Sequence, residues 1–162
     1  MGSLRYKYRS QVNLSVSATE GTWSVHPVDG KVRRSEAEAR QLTQVLLGQV
    51  WITVRDIRPT TQDIEDGIWD PNPNGLYQEL APPRLYLDEC EMDQYQAAGR
   101  WDGNAIMLDL RFARNLPVRN LIFLLTHETM HAVGFAHRRR GTLGIYNKKA
   151  VALARLVAKK GV

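Results

Sequence analysis

The stretch "LLTHETMHAVGFAHRRRG", residues 124–141, determines what the rest of the fold must support. It holds three of the chain's four histidines, which are His127, His131 and His137. On an α-helix, the spacing of four between His127 and His131 places both side chains on one face, about one turn apart. Two imidazoles in that arrangement can bind one tetrahedral metal ion at about 2.0–2.1 Å. The stretch therefore predicts a helix that carries two metal ligands.

The glycine and the third histidine extend this site. Gly134 can adopt the left-handed conformation that ends a helix and reverses the chain, which brings His137 round as a third ligand. Three neutral imidazoles leave the fourth position of Zn²⁺ open to a water, whose pKa falls towards about 7. Glu128 can reach this position and accept the proton of the water as it attacks a carbonyl. The pattern thus predicts a zinc site on His127, His131 and His137, with Glu128 as the catalytic base.

The segment "HETMHAVGFAH" (127–137) resembles the extended zinc-binding motif of the metzincins and is closest to the matrixin-like branch. The resemblance implies a zinc metallopeptidase acting on a peptide or protein substrate, with the histidines as ligands and Glu128 as the general base. It also implies a compact zincin-like α+β domain with a mixed twisted sheet, a zinc-binding helix and a C-terminal helix. An edge strand from "NAIMLDL" (104–110) would lie above the cleft and pair with an extended substrate.

One family feature is replaced in this chain. Metzincins place a methionine in a tight turn beneath the metal, but no methionine follows Met130 here. Alignment with the matrixin pattern puts Ile145 at that position, and isoleucine is apolar and of similar volume, so we expect the same apolar floor. Two roles stay open for Tyr146, packing or a hydrogen bond to the oxyanion. Cys90 lacks the pro-segment motif that caps the zinc in secreted matrixins.

The other elements follow from apolar periodicity and capping signals. Ser35 and Glu38 form a capping box that begins a helix, and Gly48 is the expected C-cap. The acidic segment 56–82, rich in Pro and Gly, predicts a functional or ion-ordered loop, and residues 147–160 predict a last helix. The motif helix is expected to begin at Asn115 and Pro117 and to end at Gly134. Strands are predicted at 12–18, 21–28, 50–54, 84–89 and 104–110.

Length and composition indicate one domain spanning 1–162. The chain has 162 residues, 43% of them hydrophobic, and one cysteine, so its fold does not depend on an internal disulfide. Neither a signal peptide nor a membrane span is visible, so we expect no membrane partner and favour an intracellular or particle-associated location.

Charge is distributed in three blocks. Residues 1–55 carry +4, residues 56–109 carry −9 and residues 110–162 carry +10. The preferred interpretation is that folding brings these blocks together and they partly neutralise one another. The alternative is a basic surface around Arg138, Arg139 and Arg140 that meets an anionic partner. No nucleic-acid-binding signature accompanies these arginines, so we do not expect a nucleic acid partner.

A second cation, Ca²⁺, is suggested by "DPNPNG" (70–75). Asp70, Asn72 and Asn74 match the opening of an oxygen-ligand calcium loop. The glutamate expected at loop position twelve is replaced by Ala81, and a Pro/Asn turn is the favoured alternative.

Two functions are therefore compared. The first is a zinc-dependent endopeptidase in which Glu128 activates water. The second is a non-catalytic zinc-binding module that serves a structural or interaction role with protein partners in a larger assembly, such as a virus particle. Glu128 favours catalysis, because a purely structural site has no need of an acid there.

Overall fold

A computed structural model of the chain describes residues 3–5, 14–19, 22–27, 33–69, 82–87 and 97–160, with side chains described for 33–69, 82–87 and 99–160. Within these residues, helices accompany a four-stranded mixed sheet and a separate two-stranded sheet. The predicted α+β class is confirmed at this level.

The mixed sheet carries its strands in the order β1-β5-β6-β4. Strand β6 is parallel to β4 and antiparallel to β5, and β1 is antiparallel to β5 on the other side. Strands β2 and β3 pair as an antiparallel hairpin, as the alternation of apolar residues predicted. The strands in chain order are β1 (Ser3–Arg5), β2 (Leu14–Thr19), β3 (Thr22–Pro27), β4 (Arg84–Leu87), β5 (Ala97–Trp101) and β6 (Ala105–Leu108).

The predicted edge position of the segment 104–110 is wrong. Its strand, β6, lies inside the sheet between β5 and β4. All four residues of β6 are buried, as expected for a strand that is covered on both faces. The strand β5, which the sequence did not reveal, lies next to it, and β1 lies outside β5.

Helix α1 (Glu36–Val54) begins as predicted but is longer. The Ser35 hydroxyl accepts a hydrogen bond from the Glu38 amide at 3.1 Å, which confirms the N-cap. The helix continues through Gly48, so both the predicted C-cap and the predicted strand at 50–54 are wrong. Apolar residues keep helical spacing after the glycine, and their burial outweighs the β-propensity of the local sequence. These buried residues are Val50, Trp51 and Val54.

Part of the predicted loop 56–82 is helical. Helix α2 (Thr61–Glu65) begins with a capping box in which the side chains of Thr60 and Asp63 bond each other's backbone amides. The calcium candidates Asp70, Asn72 and Asn74 lie outside the described residues, as does Cys90. The calcium site stays a prediction.

The last third of the chain, as far as the structure describes it, contains α3 (Leu110–Asn115), α4 (Val118–Val133) and α5 (Leu143–Lys159). Helix α4 is the predicted motif helix, flanked by Pro117 and Gly134, whereas Asn115 belongs to α3. It packs against α1, α5 and β5, so its whole C-terminal part is buried. No helix in the described ranges has the length and apolar character needed to span a bilayer.

Candidate metal centre

Gly134 ends α4 and brings the third histidine towards the first two. Its φ of 115° lies in the left-handed region that favours glycine. The Phe135 amide donates back to the Met130 carbonyl at 3.0 Å, and the Ala136 amide donates to the Ile68 carbonyl at 2.8 Å. Phe135 also forms a β-bridge with Trp69. The backbone just before His137 is therefore held both by the end of α4 and by the segment around Ile68.

The three histidines meet as the spacing predicted. Their candidate ligand nitrogens all lie within 4.8 Å of one another. The ring centroids of His127 are 5.2 Å from those of His131 and His137, and the latter two are 4.9 Å apart. His127 and His131 are buried and His137 is half-buried. The cluster is close enough to hold one metal ion.

Two hydrogen bonds determine which nitrogen of the ring can bind that ion. The Nδ1 of His131 donates to the Phe135 carbonyl at 2.9 Å, because a carbonyl only accepts. The Nδ1 of His127 contacts Oδ1 of Asn147 at 2.8 Å, and this amide oxygen is also an acceptor. Both rings thus carry their proton on Nδ1 and present an Nε2 lone pair. Such outer hydrogen bonds are usual for metal-binding histidines.

The histidines are neutral at pH 7. Burial, with a contribution from the charges of the other two rings, lowers the pKa of His127 well below its usual 6.5. Burial also lowers the pKa of His131 to about 3 and that of His137 in the same direction. The Nε2 atoms of His131 and His137 are buried and have no hydrogen-bond partner in the described part of the chain. Neutral imidazole is the form that binds a metal.

Tyr146, rather than Ile145, forms the floor of the cluster. The Tyr146 ring is fully buried, and its centroid lies 4.8, 4.8 and 4.9 Å from those of His127, His131 and His137. The Ile145 side chain is 40% exposed, so the prediction that it forms the floor is wrong. The reason is that α5 already begins at Leu143, and neighbouring helical residues point about 100° apart.

The hydrogen bond made by the Tyr146 hydroxyl favours one of the two roles predicted for this residue. It donates to the backbone carbonyl of His127 at 2.5 Å. Burial raises the pKa of Tyr146 well above its usual value, and the charge of Glu128 adds to that rise. This arrangement favours the packing role over a hydrogen bond to an oxyanion.

Glu128 lies beside the histidines, completely buried. Its Oε2 is 3.8 Å from Nε2 of His127, and neither carboxylate oxygen has a hydrogen-bond partner among the described residues. Burial raises the pKa of Glu128 well above its usual value, while the charge of Arg100 acts in the opposite direction. Strand β5 passes close by, since a Cβ added at Gly99 would lie 3.5 Å from Cγ of Glu128. The acid is thus enclosed between α4 and β5.

Some of the basic residues after the third histidine lie against the acidic helix α2 and the turn that follows it. Arg138, Arg139 and Arg140 are exposed, and the Arg139 side chain lies over Gly67, 3.2 Å from the place of a Cβ there. Lys149 donates to Asp63 at 2.8 Å and lies 5.2 Å from the centre of the Phe135 ring. These contacts join the basic C-terminal part to acidic α2, in line with the preferred interpretation of the charge blocks.

The sequence did not predict Asn147, the floor role of Tyr146 or the position of β5 beside Glu128. Nothing in a spacing of 20 residues marks Asn147 as a partner of His127. The only sequence signal for Tyr146 and Asn147 is that they directly follow Ile145, which occupies the family's methionine position. Comparisons of the chain with protein-family models, curated proteins and solved structures gave no match.

Proposed function

We propose that this chain is a zinc-dependent endopeptidase that hydrolyses peptide bonds in a peptide or protein substrate. The observation that carries the proposal is Glu128, a fully buried carboxylate 3.8 Å from a candidate ligand nitrogen and without a hydrogen-bond partner in the described ranges. Burying a carboxyl group without a hydrogen bond is unfavourable. A metal site held by neutral imidazoles alone gains nothing from such a group, whereas a hydrolytic site needs a base there.

The donor set supports zinc in a catalytic type of site. Structural zinc sites have four protein ligands, whereas catalytic sites have three and keep one position open. Within the described residues, the group that could hold a metal ion consists of His127, His131 and His137. When bound, zinc would supply Lewis-acid chemistry by acidifying water and polarising the carbonyl under attack.

Glu128 moves the proton in this proposal. Burial raises its pKa, and a cation bound to the adjacent histidines would favour the ionised carboxylate, since opposite charges a few ångströms apart stabilise each other. The carboxylate then accepts a proton from the attacking water on Oε2 and can pass it to the leaving amine. His127, His131 and His137 stay neutral and hold the geometry throughout.

We propose in addition that the domain is zincin-like and of the metzincin type. The support is the order of its elements, in which a mixed sheet precedes the motif helix α4, the turn at Gly134 and the C-terminal helix α5. This order agrees with what the resemblance of "HETMHAVGFAH" implies. The buried ring of Tyr146 would take the place of the family's methionine beneath the metal.

A second candidate is a non-catalytic zinc module with protein partners in a larger assembly. The observation in its favour is the pairing of β5, the strand beside Glu128. Its two sides are paired with β1 and β6, so it offers no open edge to an extended peptide. In this case the histidines would hold zinc and Glu128 would have no proton to accept.

The test combines zinc content per chain with cleavage of a mixed peptide pool, followed by mass spectrometry. Glu128→Gln is compared with the wild type and with Glu65→Gln, a matched change at an exposed acid on α2. We expect all three proteins to retain zinc and only Glu128→Gln to lose cleavage.

Three other outcomes separate the candidates. If the wild type binds zinc but cleaves no more than Glu128→Gln, the peptidase proposal is wrong and the non-catalytic module stands. If Glu128→Gln loses zinc, Glu128 is a ligand rather than a base. If the wild type retains no zinc and added zinc does not raise its melting temperature, both candidates are wrong.

A further inference from the structure

We propose that Asn147 is a positioning residue of the metal site, because its side-chain oxygen accepts the Nδ1–H of His127 and so keeps Nε2 of that ring available to the metal. The inference rests on the metal-binding part of the proposed function and is independent of whether the site hydrolyses peptides. It gives a defined task to a buried polar residue on α5 that belongs to no predicted motif.

The geometry of the first turns of α5 supports this task. Asn147 is fully buried, and its Oδ1 lies 2.8 Å from Nδ1 of His127. The preceding residue, Tyr146, donates its hydroxyl to the backbone carbonyl of the same histidine. Two successive residues of one helix therefore hold His127 at its side chain and at its backbone. His131 needs no such help, because the carbonyl of Phe135 binds its Nδ1.

The chemistry explains why an acceptor is needed at this place. A neutral imidazole carries one proton, which can lie on either nitrogen. If Nδ1 has no acceptor, the proton can move to Nε2, and this nitrogen then has no lone pair to offer the ion. Loss of such a supporting group typically weakens metal affinity 10–100-fold.

The amide nitrogen of Asn147, which makes no hydrogen bond among the described residues, indicates that this residue serves the metal site rather than the packing of the fold. The Nδ2 group of Asn147 is buried and has no hydrogen-bond partner within the part of the chain that the structure describes. An unsatisfied buried donor is unfavourable for folding. An apolar residue of similar size would avoid this defect, so the amide brings a benefit only through its oxygen. Folding stability and metal affinity should therefore respond differently to substitution.

The experiment measures zinc affinity of the full chain by competition with a chromophoric chelator. Asn147→Leu removes the acceptor, Asn147→Asp keeps an acceptor in its place, and Asn115→Leu is the matched control. Asn115 is another buried asparagine, whose Nδ2 donates to the backbone carbonyl of Arg111 in the same helix, α3. We expect a 10–100-fold loss of affinity in Asn147→Leu, near wild-type affinity in Asn147→Asp and no change in Asn115→Leu.

Two further measurements distinguish positioning from general support of the fold. Urea unfolding of the metal-free proteins should show little difference between Asn147→Leu and the wild type, because removal of the unpaired Nδ2 offsets the orphaned Nδ1 of His127. The visible absorption of bound Co²⁺ should change in Asn147→Leu and not in Asn115→Leu. Asn147→Ala replaces Asn147→Leu in the comparison with Asn147→Asp if the leucine variant does not fold.

Several results would overturn the inference. One is wild-type zinc affinity in Asn147→Leu. Another is equal weakening in Asn147→Asp and Asn147→Leu, which would mean that the amide nitrogen rather than the oxygen faces His127. A wild type that binds no zinc overturns the inference together with the proposed function. A wild type that binds zinc without cleaving peptides refutes only the peptidase, and the affinity comparison still decides the role of Asn147.

Discussion

Acid should destabilise the metal-free protein, because its histidines are buried in their neutral form. Burial, together with the charge of His137, lowers the pKa of His131 from 6.5 to about 3. As the pH falls below 6.5, the unfolded chain binds a proton at His131, while the folded chain does so only near pH 3. The stability that depends on neutral His131 is therefore complete above pH 6.5 and is lost as the pH falls towards 3.

The expected loss of stability can be calculated from the change in the pKa of His131. One pKa unit corresponds to about 1.4 kcal/mol, so His131 alone should lower the free energy of unfolding by about 2 kcal/mol at pH 5. The pKa of His127, also fully buried, is lowered in the same direction, so its loss adds to that of His131. Domains are typically stable by only about 5–15 kcal/mol. The metal-free protein should thus unfold in mild acid.

Glu128 changes the stability with pH in the opposite direction to the histidines. Its pKa is raised by burial, so the stability that it contributes is present below its unfolded pKa of 4.5 and is lost as the pH rises through its folded pKa. Between pH 4.5 and 6.5 the effect of this one carboxyl on stability opposes that of three histidines. Because the histidines outnumber it, we expect a net loss of stability in acid. In Glu128→Gln, the loss of stability in acid should become steeper by up to one proton, or about 1.4 kcal/mol per pH unit.

The assay is urea unfolding of the chelator-treated protein at several pH values between about 5 and 7, followed by tryptophan fluorescence. Across this interval, His131→Gln should lose about 2 kcal/mol less than the wild type. Added zinc should raise the free energy of unfolding at each pH without removing the loss in acid, since the bound imidazoles stay unprotonated in the folded chain while the unfolded chain still binds protons. Equal losses in the wild type and His131→Gln, or no loss in the wild type, would refute the reasoning.

Three substitutions test the packing around the site and the length of α1. Tyr146→Phe removes only the hydrogen bond to the His127 carbonyl and should lower the free energy of unfolding by about 1 kcal/mol, measured in urea, while zinc affinity stays within a few-fold. A large fall in affinity would show that the hydroxyl, not the ring, supports the metal. Gly48→Ala should stabilise α1 by about 0.5–1 kcal/mol, because an added Cβ meets no atom within 4 Å. Unchanged or lower stability would argue against a helix that continues through this position. Gly99→Ala should destabilise the protein by about 1–3 kcal/mol, since its Cβ would meet backbone and side-chain atoms at 3.1–3.3 Å, and cleavage should fall if Glu128 is displaced. Full stability in this variant would contradict the close approach of β5.

The parts of the fold that sequence could predict are those governed by local rules. The spacing of His127 and His131 and the left-handed glycine act within a few residues, so helix α4, its end and the turn of the chain towards His137 follow directly. The length of α1 does not, because burial against α4 decides whether "VWITV" is helix or strand. Tyr146 is a similar case, because the point where α5 begins determines which residue faces the histidines. Asn147 and β5 reach the site only through tertiary contacts.

The backbone hydrogen bond between Ala136 and Ile68 also affects the order in which the chain folds. His127 and His131 become neighbours as soon as one helix forms, which takes microseconds or less in short chains. His137 takes its place only when the Ala136 amide meets the Ile68 carbonyl, a contact between distant parts of the sequence. Contacts of this kind require the closure of a long loop and form late in folding. Two-ligand capture of an ion can thus precede folding of the domain, whereas three-ligand capture reports that the tertiary structure is complete.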